Sequence, residues 1–167
     1  MRTISIPRVL LLLVTLVAAR STAQTCDFTW TGGGGNNNWT TPGNWNPVGP
    51  PTAGANICFG GNATITPNVN SSVVAGTLNF SGNGTFNITG DPLQTLTINA
   101  GITTAGGGNF TLGTTEPVVL GASQTWNLTS TTPVVSSGLQ GLTGTEVLTK
   151  TGNTGLTLSG PSFPLGT

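Results

Sequence analysis

Histidine and tyrosine are absent from the 167-residue chain, methionine occurs once, and charged residues make up only 5%. Ordinary globular domains carry roughly 25% charged residues. Without histidine, neither a Ser/His/Asp nor a Cys/His constellation can be assembled. The two cysteines show no CxxC spacing, so no cysteine-based metal site is spelled out. Three of the four cations, Arg2, Arg8 and Arg20, lie in the first twenty residues. After residue 23 one cation, Lys150, stands against four acids, Asp27, Asp91, Glu116 and Glu146, a formal net charge of −3. One lysine without arginine gives no basic footprint for phosphate backbones, which speaks against a nucleic-acid partner. The glycine runs Gly32–Gly35 and Gly106–Gly108 do not match the phosphate-loop pattern. Asp91 stands alone, whereas calcium-binding nonapeptide repeats need a recurrent aspartate. A hydrolytic carboxylate pair would have to come from the four acids. Glu116 and Glu146 could meet only across a long coil, and each reads first as a solvated turn residue. The composition calls for no cofactor and no metal, and it points away from an enzyme.

The one long apolar run is Val9–Ala19, behind Arg2 and Arg8 and ahead of Ser21-Thr22-Ala23. Residues 1–23 therefore read as a cleavable secretory signal peptide. The run is short of the roughly 20 residues a bilayer span needs. No later segment is apolar enough to cross a membrane, so no transmembrane span is expected once the signal is removed. Gln24-Thr25 before Cys26 is no lipoprotein box. A secreted or cell-surface location is expected.

Glycine, threonine and asparagine make up about half of residues 24–167. Disorder normally combines high net charge with few large apolar residues, and this chain has little charge. Its apolar residues come in pairs spaced by two: Leu78/Phe80, Phe86/Ile88, Leu96/Ile98, Phe110/Leu112, Val118/Leu120, Trp126/Leu128 and Leu156/Leu158. Spacing of two puts both members on one face of a strand. Between the pairs lie Gly-Asn-Gly, Gly-Asp-Pro, Gly-Gly-Gly and Gly-Ala-Ser, which is turn chemistry. These features specify an all-β protein. A sandwich or barrel would give similar strand spacing. Strands of four or five residues, outward Thr and Asn, and the recurring units TLNFSGNG, TFNITGDP, LTINAGIT and LTLSGPS favour a parallel β-solenoid over residues 62–167. At roughly 20–25 residues per coil this gives four or five coils and a stack of ~20 Å.

Residues 24–61 differ, with Trp30, Trp39 and Trp45 among Gly, Asn and Pro. The first coil of a solenoid needs a cap over its open core and unpaired edge. The three tryptophans could form that cap. They could instead offer a platform for stacking sugars, the mark of a carbohydrate-binding module. Cys26 and Cys58 bracket the segment, and in an exported chain a disulfide between them is expected to add roughly 3 kcal/mol.

The segment GLTGTEVLTKTGNTGLTLSGPS, residues 141–162, resembles the autotransporter-associated β-strand repeat. Lys150-Thr151-Gly152 and Leu156-Thr157-Leu158-Ser159-Gly160 carry the match. NNNWTTPGNW, GANICFGG and AGTLNFSG are similar to the N-terminal portion of bacterial secreted proteins with such repeats. LGASQTWNLTS, residues 120–130, is similar to their LxxxQTW segment. The resemblance spans most of residues 30–162 and implies a right-handed parallel β-helix in an exported, often surface-displayed protein. The chain as a whole reads as a non-catalytic structural or adhesive module, with glycans or other surface proteins as the expected partners. The family's longer members carry many repeats. Here the sequence stops at Phe163-Pro164-Leu165-Gly166-Thr167 after one good repeat, which reads as a truncated form. Its last coil, incomplete and uncapped around Leu156–Ser159, is expected to self-associate. The competing class is a polysaccharide lyase or hydrolase on the same fold, for which Lys150 is the one candidate base.

Overall fold

A computed structural model of the chain describes residues 25–113, 115–136, 138–140 and 146–159. The expected signal peptide, the turn 141–145 of the repeat and the segment 160–167 lie outside the described residues. Among the described residues sixteen short strands succeed one another: β1 (Phe28–Trp30), β2 (Trp45–Asn46), β3 (Ala55–Gly60), β4 (Thr64–Ile65), β5 (Asn68–Val69), β6 (Val73–Ser81), β7 (Thr85–Asn87), β8 (Thr89–Gly90), β9 (Leu96–Ala105), β10 (Asn109–Leu112), β11 (Val118–Leu120), β12 (Gln124–Leu128), β13 (Val134–Ser136), β14 (Leu139–Gln140), β15 (Leu148–Thr151) and β16 (Leu156–Leu158). They stack as a parallel β-solenoid of about four turns.

The rungs repeat at a nearly constant step. Ile57 pairs with Leu78, Leu78 with Ile102, Ile102 with Trp126 and Trp126 with Lys150, steps of 21, 24, 24 and 24 residues. A second wall runs β4–β7–β10–β13–β16, and the short pair β5–β8 closes part of a third. Among the described strands every pairing is parallel except β1 with β2. Parallel pairing follows from the constant step, since each strand returns to the same wall after one full coil.

Two strands are longer than the four or five residues expected. β6 has nine residues and β9 has ten. Both run through a register shift, which in their mutual pairing falls between Ala75 and Thr77. The shift bends the strand around a corner without ending it. One rung on, the same stretch is split into β11 and β12 by Gly121-Ala122-Ser123.

The core is one continuous apolar column. The alternating pairs from Leu78/Phe80 to Trp126/Leu128 are all buried. Phe59 stacks on Phe80 with ring centroids 5.1 Å apart, and Phe86 on Phe110 at 5.2 Å. Like residues on successive rungs lie over one another because the rung spacing of ~4.8 Å suits stacked rings. Leu156 and Leu158 are only half-buried, since β16 has a rung on one side alone among the described residues.

Corners are held by backbone and amide stacks. Asn62 Oδ1 accepts the Asn83 N–H at 3.3 Å, and Asn83 Oδ1 accepts the Gly107 N–H at 2.7 Å. Gly82 sits at φ +110°, and a Cβ there would lie 2.2 Å from the Gly61 carbonyl oxygen. Glycine is required because the neighbouring turn approaches too closely for any side chain.

Candidate functional site

The N-terminal end is closed by side chains. β2 runs back antiparallel along β1, placing Trp45 opposite Trp30. Trp45 lies edge-on to Trp30 and to Trp39, each at 4.9 Å. All three rings contact Phe59 at 6.1–6.5 Å. Trp45 Nε1 donates to the Trp39 carbonyl at 2.7 Å. The most open of the three, Trp30, is 6% exposed. This corrects the sugar-platform reading of Trp30, Trp39 and Trp45: a stacking platform needs a free ring face, and these faces are spent on the core. Cys26 and Cys58 are bonded, with Cα atoms 5.7 Å apart, and the bond ties the segment before β1 to β3.

A cavity of about 170 Å³ opens beside this cap, lined by Trp39, Pro51, Ala53, Ser72, Val73 and Val74 among others. Its one polar lining side chain is Ser72. The Ser72 hydroxyl is engaged with Gln94 Oε1 at 3.1 Å. A ligand site needs several convergent polar groups, and the lining offers little toward one.

The most regular feature lies on the outer face of β6, β9, β12 and β15. One outward column reads Thr77, Gly101, Thr125, Thr149, and the next reads Asn79, Thr103, Asn127, Thr151. Rungs are ~4.8 Å apart and the columns, two residues apart, ~6.6 Å. Neighbouring side chains fix one another. Asn79 Nδ2 donates to Thr77 Oγ1 at 3.1 Å, Thr77 Oγ1 to Asn56 Oδ1 at 2.8 Å, and Thr151 Oγ1 to Asn127 Oδ1 at 3.3 Å. Exposure increases along the stack, from half-buried Thr77 and Asn79 to exposed Thr125, Asn127, Thr149 and Thr151. Toward the cap, Cys58 and then Thr29 continue the second column.

The four acids are not brought together as a pair. Asp27 Oδ2 accepts the Asn56 N–H, and Asp91 Oδ1 caps the turn to Leu93. Glu146 lies two residues before Leu148, which pairs with Gln124, far along the rung from Glu116. Among the described residues, no cluster of three His, Cys, Asp or Glu side chains could hold a metal. Glu116 corrects a second expectation. It is fully buried, not a solvated turn residue. Gly90, one rung below, leaves the room: a Cβ there would lie 2.7 Å from Glu116 Cβ and 2.9 Å from Val69 Cβ. Neither carboxyl oxygen has a well-formed hydrogen bond. Burial pushes this carboxyl above its usual range, although the nearby amides of Glu116, Thr115 and Gly113 pull it down.

Sequence reasoning missed two placements. Glu116 sits two residues from Val118, a spacing that would have flagged it as inward. Lys150 occupies the position that Trp126 holds 24 residues earlier. Comparison of the chain with protein families, curated proteins and solved structures finds no match.

Proposed function

We propose that the chain is a non-catalytic structural and adhesive module of an exported protein, with the Thr/Asn face as its working surface. The observation that carries this reading is the in-register double column from Thr77 and Asn79 to Thr149 and Thr151. It presents uncharged donors and acceptors on a sheet whose backbone is already paired. Each hydrogen bond made there contributes only about 0.5–1.5 kcal/mol net. Useful attachment therefore needs many at once, and a rigid periodic array supplies them without further ordering cost. The absence of charge on these columns suits neutral glycans, whose hydroxyls both donate and accept. The repeat-like segment around Lys150-Thr151-Gly152, and the signal-like residues 1–23, support export and surface display.

The test is binding of the oxidised protein to an array of neutral glycans, in parallel with the double variant Thr125→Lys/Asn127→Lys. Lysines there would put two strongly hydrated cations into the array while leaving the buried column untouched. Binding lost in the double variant, with an unchanged far-ultraviolet circular dichroism spectrum, supports the face. Glycan binding that survives both substitutions removes it, and binding to a surface protein in place of glycans changes the partner class.

A further inference from the structure

The Thr/Asn face has a period of its own. Along the solenoid axis one outer column of β6, β9, β12 and β15 alternates amide and hydroxyl: Asn79, Thr103, Asn127, Thr151. The column beside it reads Thr77, Gly101, Thr125, Thr149. The rungs that carry an asparagine therefore also carry a threonine, whereas the rung between them carries Gly101 and the short Thr103. Gly101 sits at φ +122°, and a Cβ there would lie 2.2 Å from the Thr125 carbonyl oxygen, so the backbone itself keeps this rung low. The face is corrugated with a repeat of two rungs, ~9.6 Å. None of the eight positions is charged or aromatic. Asn79 is half-buried, and its Nδ2 donates to Thr77 Oγ1 at 3.1 Å and to the Ile57 carbonyl at 3.4 Å. Asn127 is exposed, and its Oδ1 accepts the Thr151 hydroxyl at 3.3 Å. With Oδ1 engaged, Asn127 offers an outside ligand its Nδ2 hydrogens.

A ligand that follows this face must be neutral and extended, and must repeat at every second unit. An extended β-1,4-linked glucan has that form. Each ring advances by nearly one rung and is turned over relative to the last, so one edge of the chain presents ring hydroxyls and a hydroxymethyl group in turn. Set edge-on along the axis, the hydroxymethyl group has room over Gly101 and Thr103, and the ring hydroxyls of the next sugar meet Thr125 and Asn127. An α-1,4-linked chain coils, and falls out of register with the columns. We propose that the Thr/Asn face binds an extended β-1,4-linked neutral glucan chain lying along the solenoid axis, one ring to a rung, with Asn127 as the amide that recognises every second ring. The inference rests on the adhesive reading of this face, and adds the linkage, direction and register of its ligand. Each contact is weak, and a rigid array of matching pitch adds them with little ordering cost.

The experiment titrates the full oxidised chain with cellobiose, cellotetraose and maltotetraose, with binding read by calorimetry and by NMR shifts of the β9, β12 and β15 amides. The second disaccharide adds about two hydrogen bonds, so cellotetraose should bind about tenfold tighter than cellobiose. Maltotetraose should bind no tighter than cellobiose. Asn127→Thr keeps a polar residue suited to a strand at this exposed position, and its circular dichroism should match the parent. Losing one of the two added bonds, it should cut the gain from cellobiose to cellotetraose to about threefold. Equal affinity for cellobiose and cellotetraose, equal affinity for cellotetraose and maltotetraose, or an undiminished gain in Asn127→Thr would each overturn the proposal. Where other neutral glycans still bind, the adhesive reading survives that result; where no neutral glycan binds, both fall.

Discussion

Replacing Trp45 with alanine tests whether the tryptophan cluster closes the core. Trp45 is 1% exposed and touches Trp30, Trp39 and Phe59. Truncating a buried tryptophan costs about 3–5 kcal/mol through lost transfer energy and the cavity left behind. The Trp39 carbonyl also loses the Trp45 N–H, about another 1 kcal/mol. The sum is a large share of a domain stability of about 5–15 kcal/mol. With a urea slope of about 1–3 kcal/mol per molar, the unfolding midpoint should fall by about 2 M. Trp45→Phe keeps a ring and loses only the donor and some volume, so it should cost about 1–2 kcal/mol. Far-ultraviolet circular dichroism reads the transition independently of tryptophan fluorescence. Because rungs couple mainly to their neighbours, hydrogen exchange should accelerate most around Ile57–Phe59 and Leu78–Phe80, and least in β13 and β16. An unchanged midpoint in Trp45→Ala, coupled to a loss of glycan binding, would show that the ring serves a ligand and would refute the closed-cap account.

The Cys26→Ser/Cys58→Ser double variant frees a loop with a sequence separation of 32. On the chain-entropy account it should lose about 3–4 kcal/mol, read as the urea midpoint against the oxidised parent. Glu116 carries a pH signature. Its folded-state pKa is raised above the ordinary 4.5 by burial, so the folded chain holds the proton more tightly than the unfolded one. Its contribution is fully present below the unfolded value and is lost as pH rises through the folded value. Stability should therefore decline from pH 4 toward neutrality, and Glu116→Gln should flatten that decline; a parallel pH profile in the variant would remove Glu116 as the cause. Gly82→Ala and Gly35→Ala separate backbone strain from rung contact. Both positions have positive φ, but a Cβ at Gly35 meets nothing within 4 Å. Gly35→Ala should cost about 1 kcal/mol and Gly82→Ala at least about 2 kcal/mol in thermal or urea unfolding.

Much of the architecture was legible because it is local. A spacing of two apolar residues commits a segment to one buried strand face, and Gly-Asn or Gly-Gly punctuation commits the chain to turn between them. Seven such pairs in series, most of them 8 to 10 residues apart, marked short strands, and the recurring strand-then-glycine units favoured a solenoid over a sandwich. The two cysteines flanking a tryptophan-rich segment likewise marked an N-terminal region tied by a disulfide. Composition alone also determined how little charge is available for phosphate recognition or acid–base chemistry.

Other features depend on which residue lies above which, and local spacing carries no such information. Three tryptophans among asparagines read first as a lid, with a sugar platform as the alternative, until β2 folds back on β1 and buries their faces. Glu116 is interior because the rung below it supplies Gly90, whose missing Cβ makes the room. Lys150 shares the register of Trp126 because of the 24-residue step between rungs. The sequence by itself determined the strands, the turns and the repeating class of fold. The tertiary structure decided the vertical neighbours, because the register between rungs is set by coil lengths and bulges far apart in the chain, and burial and charge environment follow from that register.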